Sequence, residues 1–252
     1  MPKIEVAGMS MHYTCVGDGV PVLMLPGALG TGAGDFQAQI GWFADRHFRV
    51  VAPDPRGYGQ SRPPKRTFPT DFYYRDAVDM FALMSALGHD RYAILGWSDG
   101  ANIGTIMAAQ HPERVSRLAV FGGNAFLTRI EIAAFDAIRK IETWQPRAAQ
   151  AMREIYGEEL DRLWADYVDG LETIYAMGGD LYKSLLPKVL CPTLILNGSK
   201  DPLVPPVHSE LIHRRIAGSR LHVFADGKHN IHTKFADEFN TIVFDFLRAK
   251  ES

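Results

Sequence analysis

The chain has 252 residues, a formal net charge of −2, 46% hydrophobic and 22% charged residues. This is the balance of one globular domain with a sizeable core, and it lacks the basic excess that grips nucleic acid or an anionic membrane surface. Two cysteines, Cys15 and Cys191, are too few for a disulfide framework or a thiolate zinc cluster. The opening residues Ile4–Val6 and Met9–Tyr13 predict an antiparallel hairpin. Val20–Leu25 is an apolar run closed by Pro26-Gly27, and it is far shorter than a membrane span. Phe48–Ala52 follows, then Pro53-Asp54-Pro55-Arg56-Gly57, then a helical pattern from Phe72 to Leu87. Tyr92–Gly96, a helix from Asn102 to Gln110, and Leu118–Gly122 continue the alternation. Beyond Lys188 come Thr193–Asn197, a helix from Pro206 to Ile216, Arg220–Phe224 and a helix from Phe235 to Lys250. Short runs apolar on both faces, alternating with helices, predict an α/β fold built on a buried, mostly parallel sheet with helices on both faces.

The alternation breaks between Asn124 and Lys188, where only helical spacing occurs. Thr128 and Glu131 form a capping-box pattern ahead of Ile132, Phe135 and Ile138. Pro146 suits the first position of a second helix, which Gly157 stops. Leu160, Leu163, Trp164, Tyr167, Val168, Leu171, Ile174 and Tyr175 mark one face of a third, ended by Gly178-Gly179. The expected organisation is a core of residues 1–123 and 189–252 interrupted by a helical cap, 124–188, over the carboxyl edge of the sheet. Ligands bind at that edge in open α/β sheets. The start, Met-Pro-Lys-Ile-Glu-Val, has neither a signal-peptide nor a transit-peptide pattern, so a cytoplasmic location is expected.

Gly96-Trp97-Ser98-Asp99-Gly100 lies between a strand-like run and a helix, the context in which Gly-x-Ser-x-Gly forms a nucleophile elbow. The turn needs small residues two before and two after the serine, because side chains there would collide. A serine hydroxyl attacks only when a base takes its proton, and an acid must orient that base. In this motif's fold the order along the chain is Ser, acid, His. Asp201 follows Leu194–Lys200, and His229 follows it by 28 residues, in Asp226-Gly227-Lys228-His229. Both sit after strand-like runs, at the same sheet edge as Ser98. His232 is the rival base and Asp226 the rival acid. The oxyanion needs backbone donors: the N–H of Asp99, and one from Pro26-Gly27-Ala28-Leu29-Gly30, assigned to Ala28 with Leu29 as fallback. Asp99 has two readings of its own, pairing with a substrate cation or capping the following helix. Trp97, Trp144, Tyr156, Trp164 and Tyr175 are candidates for pocket walls or for plain core. No His-Glu-x-x-His pattern or phosphate loop occurs, so neither a metal nor another cofactor is expected.

These residues, with Asp54-Pro55-Arg56-Gly57-Tyr58-Gly59-Gln60-Ser61, resemble the α/β-hydrolase superfamily over essentially the whole chain. Further blocks narrow the resemblance: Leu95–Gly100, Gly123-Asn124-Ala125, Cys191-Pro192, Lys200–Pro205, Gly218–His222, Gly227–His232 and Phe235–Asn240. They are similar to the biphenyl hydrolase-like family of valacyclovir hydrolases. That resemblance implies hydrolysis of α-amino acid esters, a Ser98–Asp201–His229 triad, and Asp99 as receiver of the substrate's α-ammonium. Ala101 departs from the second glycine of many superfamily members. The expected partner is a small ester with an α-amino group, with no nucleic acid, membrane or obligate protein partner. Alternatives on the same fold are a carbon–carbon bond hydrolase, a general carboxylesterase, or a ligand receptor that does not turn over.

Overall fold

Eight strands form one sheet in the order β1-β2-β4-β3-β5-β6-β7-β8 in the structure, a computed structural model that describes residues 2–249. β1 (Lys3–Val6) and β2 (Met9–Val16) make the antiparallel hairpin at one edge. Its two-residue turn places Ala7 and Gly8 at φ of 50° and 74°, the left-handed geometry that matches strand twist. β2 pairs antiparallel with β4 (Phe48–Pro53), and all later pairings are parallel. β3 (Val20–Leu25) is followed by α1 (Gly32–Asp35) and α2 (Gln37–Ala44), and β4 by α3 (Phe72–Ala86). β5 (Tyr92–Trp97), α4 (Asp99–Gln110) and β6 (Val115–Phe121) then lead into the insertion. Because β3 lies between β4 and β5, the chain leaves β3 in one direction and returns to its other side. The loops after β3 and β5 therefore adjoin at a topological switch point, where such sheets bind ligands.

The β3 side chains show why the sheet is buried on both sides. Leu23 and Leu25 join the core shared with α3 and α4, whereas Val22 and Met24 join the opposite core with Phe36, Phe43 and Phe239. All four are fully buried, and the period of two delivers alternate residues to each layer.

The insertion holds α5 (Arg129–Ala137), α6 (Pro146–Tyr156) and α7 (Leu160–Ala176), with short 3-10 turns at 141–143, 157–159 and 183–188. Thr128 and Glu131 form the reciprocal capping box, and Pro146 opens α6. The segment is not purely helical. Phe126 and Asp180 form an antiparallel bridge, and Leu127 donates to the Gly179 carbonyl at 2.7 Å. The two ends of the insertion must return to the neighbouring strands β6 and β7, so they run side by side and pair. Glu131 also reaches His208 Nε2 at 3.0 Å, bolting α5 to the helix that opens at Pro206.

The chain closes with β7 (Thr193–Gly198), α8 (Pro206–Arg215), β8 (Arg220–Phe224), α9 (Ile231–Lys234) and α10 (Ala236–Arg248). Lys250, the end expected for the last helix, lies outside the described residues. No helix among the described residues is long and apolar enough to cross a membrane.

Candidate active site

Ser98 occupies the turn between β5 and α4 at φ 54° and ψ −119°, a conformation that non-glycine residues rarely adopt. Strain of this kind costs about 1–3 kcal/mol and persists only where surrounding contacts over-determine it. Those contacts are visible. The Ser98 N–H donates to the Phe121 carbonyl at 2.9 Å, and the Ser98 carbonyl accepts from Ala101 N–H at 2.9 Å. A Cβ on Gly96 would lie 2.4 Å from the Gly100 carbonyl oxygen, and one on Gly100 would lie 2.0 Å from that of Leu25. Glycine is therefore required at both positions, as the elbow motif predicts. Asn102 in α4 anchors the turn to the end of β6: its Oδ1 accepts from the Asn124 N–H and the Tyr182 hydroxyl, both at 3.0 Å. Ala101 is fully buried there, so its methyl is accommodated.

The structure brings Asp201 and His229 together, with Nδ1 of His229 2.7 Å from Oδ2 of Asp201. The other oxygen, Oδ1, accepts the N–H groups of Leu203 at 2.9 Å and Val204 at 3.0 Å, which fixes the carboxylate. An acceptor at Nδ1 selects the tautomer that carries its proton there, leaving Nε2 able to accept one. The two loops are laced together: Lys200 N–H donates to the Gly227 carbonyl at 2.8 Å, and Ser199 N–H to that of Phe224 at 3.1 Å. The Trp97 indole donates to the His229 carbonyl at 3.1 Å. Gly122, at φ 64°, lies against the imidazole, where a Cβ would stand 2.9 Å from Cε1.

The two rivals are placed differently. His232 is buried among Trp97, Phe121 and Phe36, with Nε2 3.0 Å from the Asp35 carbonyl. Burial pushes its pKa down to about 3, so it is a neutral core histidine. Asp226 is exposed and paired with Lys200 at 2.6 Å.

The loop after β3 lies beside the elbow. A Cβ on Gly27 would be 3.3 Å from Ser98 Cβ and 3.2 Å from the Trp97 ring. Leu29 is buried at φ 60°, and Gly30 N–H donates to the Gly27 carbonyl, giving a tight turn around Ala28. Two contacts that the sequence did not reveal brace this turn. Asp35 Oδ2 accepts the Gly27 N–H at 3.0 Å, and the Tyr156 hydroxyl of α6 donates to the Leu29 carbonyl at 2.7 Å. Burial lifts the Asp35 carboxyl to about 7, against the pull of the Gly27 N–H and with a further push from Asp54. The Asp99 N–H opens α4, where first-turn amides have no helical acceptor.

Asp99 does not cap its helix, since no side-chain bond closes that end. Its Oδ1 accepts two phenols, Tyr73 at 2.7 Å and Tyr167 at 2.9 Å, while Oδ2 is buried with no partner among the described residues. Burial raises its pKa to about 6; the two phenols and Arg66 oppose that rise and Asp76 adds to it. The aromatic candidates divide. Tyr156 is buried and reaches the loop at Leu29, and Trp97 packs on His229. Trp144 and Trp164 both donate to the Ile138 carbonyl inside the insertion, and Tyr175 is exposed.

A strand–Ser–helix elbow, an Asp–His pair at the next strand ends and a braced amide turn on one sheet edge are the fittings of a hydrolase. The chain belongs to the α/β-hydrolase family: residues 20–154 and 133–236 match the family described as alpha/beta hydrolase fold. It is 43% identical over 249 residues to the mouse and human proteins called Serine hydrolase BPHL, covering 98% of this chain and 86% of each relative. It is thus a serine hydrolase of the type to which those proteins belong. The structure of 2-hydroxy-6-oxo-6-phenylhexa-2,4-dienoate hydrolase from Rhodococcus superposes with a TM-score of 0.84 over 98% of both chains. At 19% identity, that likeness concerns the fold alone.

Proposed function

We propose that the chain hydrolyses small α-amino acid esters through an acyl-enzyme on Ser98. The observation that carries this reading is the unpartnered, buried Oδ2 of Asp99, one residue from the serine. The surrounding charges sharpen it. Arg66 is paired to Asp76 through bonds of 2.8 and 2.6 Å, so its charge is largely taken up and the Asp99 carboxylate is left without a cation of its own among the described residues. A buried carboxylate with one open oxygen is costly unless a cation completes it. In an α-amino ester a single carbon separates the ammonium from the reacting carbonyl, which suits a carboxylate adjacent to the nucleophile.

In this mechanism Nε2 of His229 takes the Ser98 proton as Oγ attacks the ester carbonyl. The imidazolium is stabilised by Asp201 and then protonates the departing alkoxide. The N–H groups of Asp99 and Ala28 hold the tetrahedral oxyanion, with Leu29 as the alternative second donor. Water, activated by His229, releases the amino acid and frees Ser98. Residues 124–188 act as the cap, since Tyr167 reaches Asp99 and Tyr156 reaches the oxyanion loop from it.

The test is a pair of esters identical but for the α-amino group, assayed at neutral pH on the native chain and on Asp99→Asn. A charge-assisted hydrogen bond is worth about 1.5–3 kcal/mol, or about one to two powers of ten in kcat/KM. The amino ester should lose that much, and the amine-free ester little, because the backbone N–H of residue 99 remains. Equal losses on both would reject amino-acid specificity and favour a general carboxylesterase.

A further inference from the structure

We propose that Tyr73 and Tyr167 are the specificity-determining positioning residues of the cation site: their two hydroxyls occupy Oδ1 of Asp99 and hold the carboxylate so that Oδ2 is left for the substrate's ammonium. This rests on the reading of Asp99 given above and extends it to residues that touch neither the reacting carbonyl nor the ammonium.

The arrangement is asymmetric in a way that a structural carboxylate would not be. Two donors, at 2.7 and 2.9 Å, converge on one oxygen, and the other oxygen, also buried, has none among the described residues. Both phenols are themselves buried, at 2% exposure each, and their rings are held by packing. Tyr167 is stacked on Trp164 at 5.1 Å and meets Phe68 and Phe135 edge-on at 5.4 and 5.9 Å. Tyr73 lies against Phe72 at 4.0 Å. Rings packed in this way cannot swing to let Asp99 rotate and share its donors between both oxygens.

The two tyrosines also come from different parts of the chain. Tyr73 is on α3 of the sheet layer, and Tyr167 is on α7 of the insertion. The cation site is therefore complete only with α7 seated on the sheet, so recognition of the amino group and placement of the insertion are one event.

The titratable groups that act on Asp99 are Tyr73 and Asp76 from α3, Tyr167 from α7, and Arg66 and Tyr58 from the segment between β4 and α3. The phenols favour the ionised carboxylate, in opposition to burial. Removing either one makes the carboxylate easier to protonate and looser, and both effects weaken an ammonium's hold.

The experiment measures kcat/KM for the matched ester pair between pH 5 and 9 on the native chain, Tyr73→Phe, Tyr167→Phe and Asp99→Asn. The ratio of the two esters cancels the pH dependence of the chemical steps that both share. In the native chain that ratio should fall below about pH 6, as Asp99 gains a proton. It should also fall above about pH 8, as the substrate's amine loses one. In each phenylalanine variant the ratio at pH 7 should drop about tenfold or more, and its acid limb should move up by about one pH unit. The amine-free ester, turned over at near-native rates, reports that the triad and fold are intact. A ratio and acid limb unchanged in both phenylalanine variants would overturn the inference, as would equal losses on the two esters. If Asp99→Asn collapses the ratio while both phenylalanine variants keep it, only the role of the tyrosines fails. If Asp99→Asn itself keeps the ratio, the reading of Asp99 fails and takes the inference with it.

Discussion

Gly122→Ala places one methyl group against the base while leaving every proposed catalytic residue unsubstituted. The new Cβ would stand 2.9 Å from His229 Cε1 and 3.2 Å from Nδ1, well inside ordinary contact. The ring has little room to yield, because Nδ1 is tied to Asp201 at 2.7 Å and the Trp97 ring packs on it at 5.4 Å, itself 3.6 Å from the new Cβ. Relief therefore comes from tilting the imidazole by several tenths of an ångström, which displaces the proposed base. Displacements approaching 1 Å cost about 100-fold, so a fall in kcat of about 10- to 100-fold is expected. The left-handed backbone at residue 122 adds about 1 kcal/mol of instability, or a Tm lower by about 2–4 °C. Steady-state kinetics on both members of the ester pair, with a thermal melt, check this. Both esters should lose rate equally, because the defect lies in the base and not in the ammonium site. Native kcat in a folded Gly122→Ala variant would refute the argument that this glycine seats His229.

Other substitutions separate catalytic from structural roles. His229→Ala should keep its Tm and lose at least three orders of magnitude in kcat, whereas His232→Ala should lose about 3 kcal/mol of stability with kcat within tenfold of native; melts and kinetics on both variants distinguish them. His232 also links folding to acid: its folded pKa, about 3, lies below the ordinary 6.5, so stability present above pH 6.5 is lost as pH falls toward 3. Denaturant titrations of the native chain and His232→Phe across that window should show a shallower acid loss in the variant. Asp99 has the opposite sign. Its folded pKa of about 6 exceeds the ordinary 3.8, so its contribution is fully present below pH 3.8 and lost as pH rises through 6, a swing of about 3 kcal/mol. The stability of the native chain relative to Asp99→Asn should therefore rise by that amount as pH drops from 7 to below 4. Asp35→Ala removes the brace on the Gly27 N–H and should lower kcat by about tenfold on both esters, with KM nearly unchanged; an unaltered kcat would show that the loop holds its shape alone.

The fold was legible because buried parallel strands announce themselves as short apolar runs. Val20–Leu25 and Arg220–Phe224 agree with the observed strands end for end, and other runs differ by a few residues. The helix expected from Asn102 begins at Asp99, because the elbow passes from strand to helix at a single residue. α2 was not foreseen, since Gln39 interrupts its apolar face. That side chain is fully buried and donates to the His232 carbonyl and to Asn240, contacts about 200 residues distant in sequence.

The candidate triad positions were legible because a motif, a chain order and strand ends converge on them. The residues around them were not. Tyr167 reads as a helix-face aromatic and Tyr73 as one more residue of a helical pattern, and only tertiary packing turns their hydroxyls toward Asp99. Asp35 and Gly122 bear on the site through single contacts with a loop and a ring that no local pattern encodes. The expected departure at Ala101 has no cost, because Gly123 stands opposite, where its missing side chain leaves room for the methyl.

The central claim is that Ser98 carries the acyl group. The direct measurement is rapid-quench mass spectrometry of the intact protein during turnover of an activated amino-acid ester, followed by peptide mapping. A transient mass increase equal to the aminoacyl group, located on Ser98, formed at the rate of the pre-steady-state burst and absent in Ser98→Ala, is the predicted result. Undiminished turnover by Ser98→Ala, or an acyl group on any other residue, would contradict it.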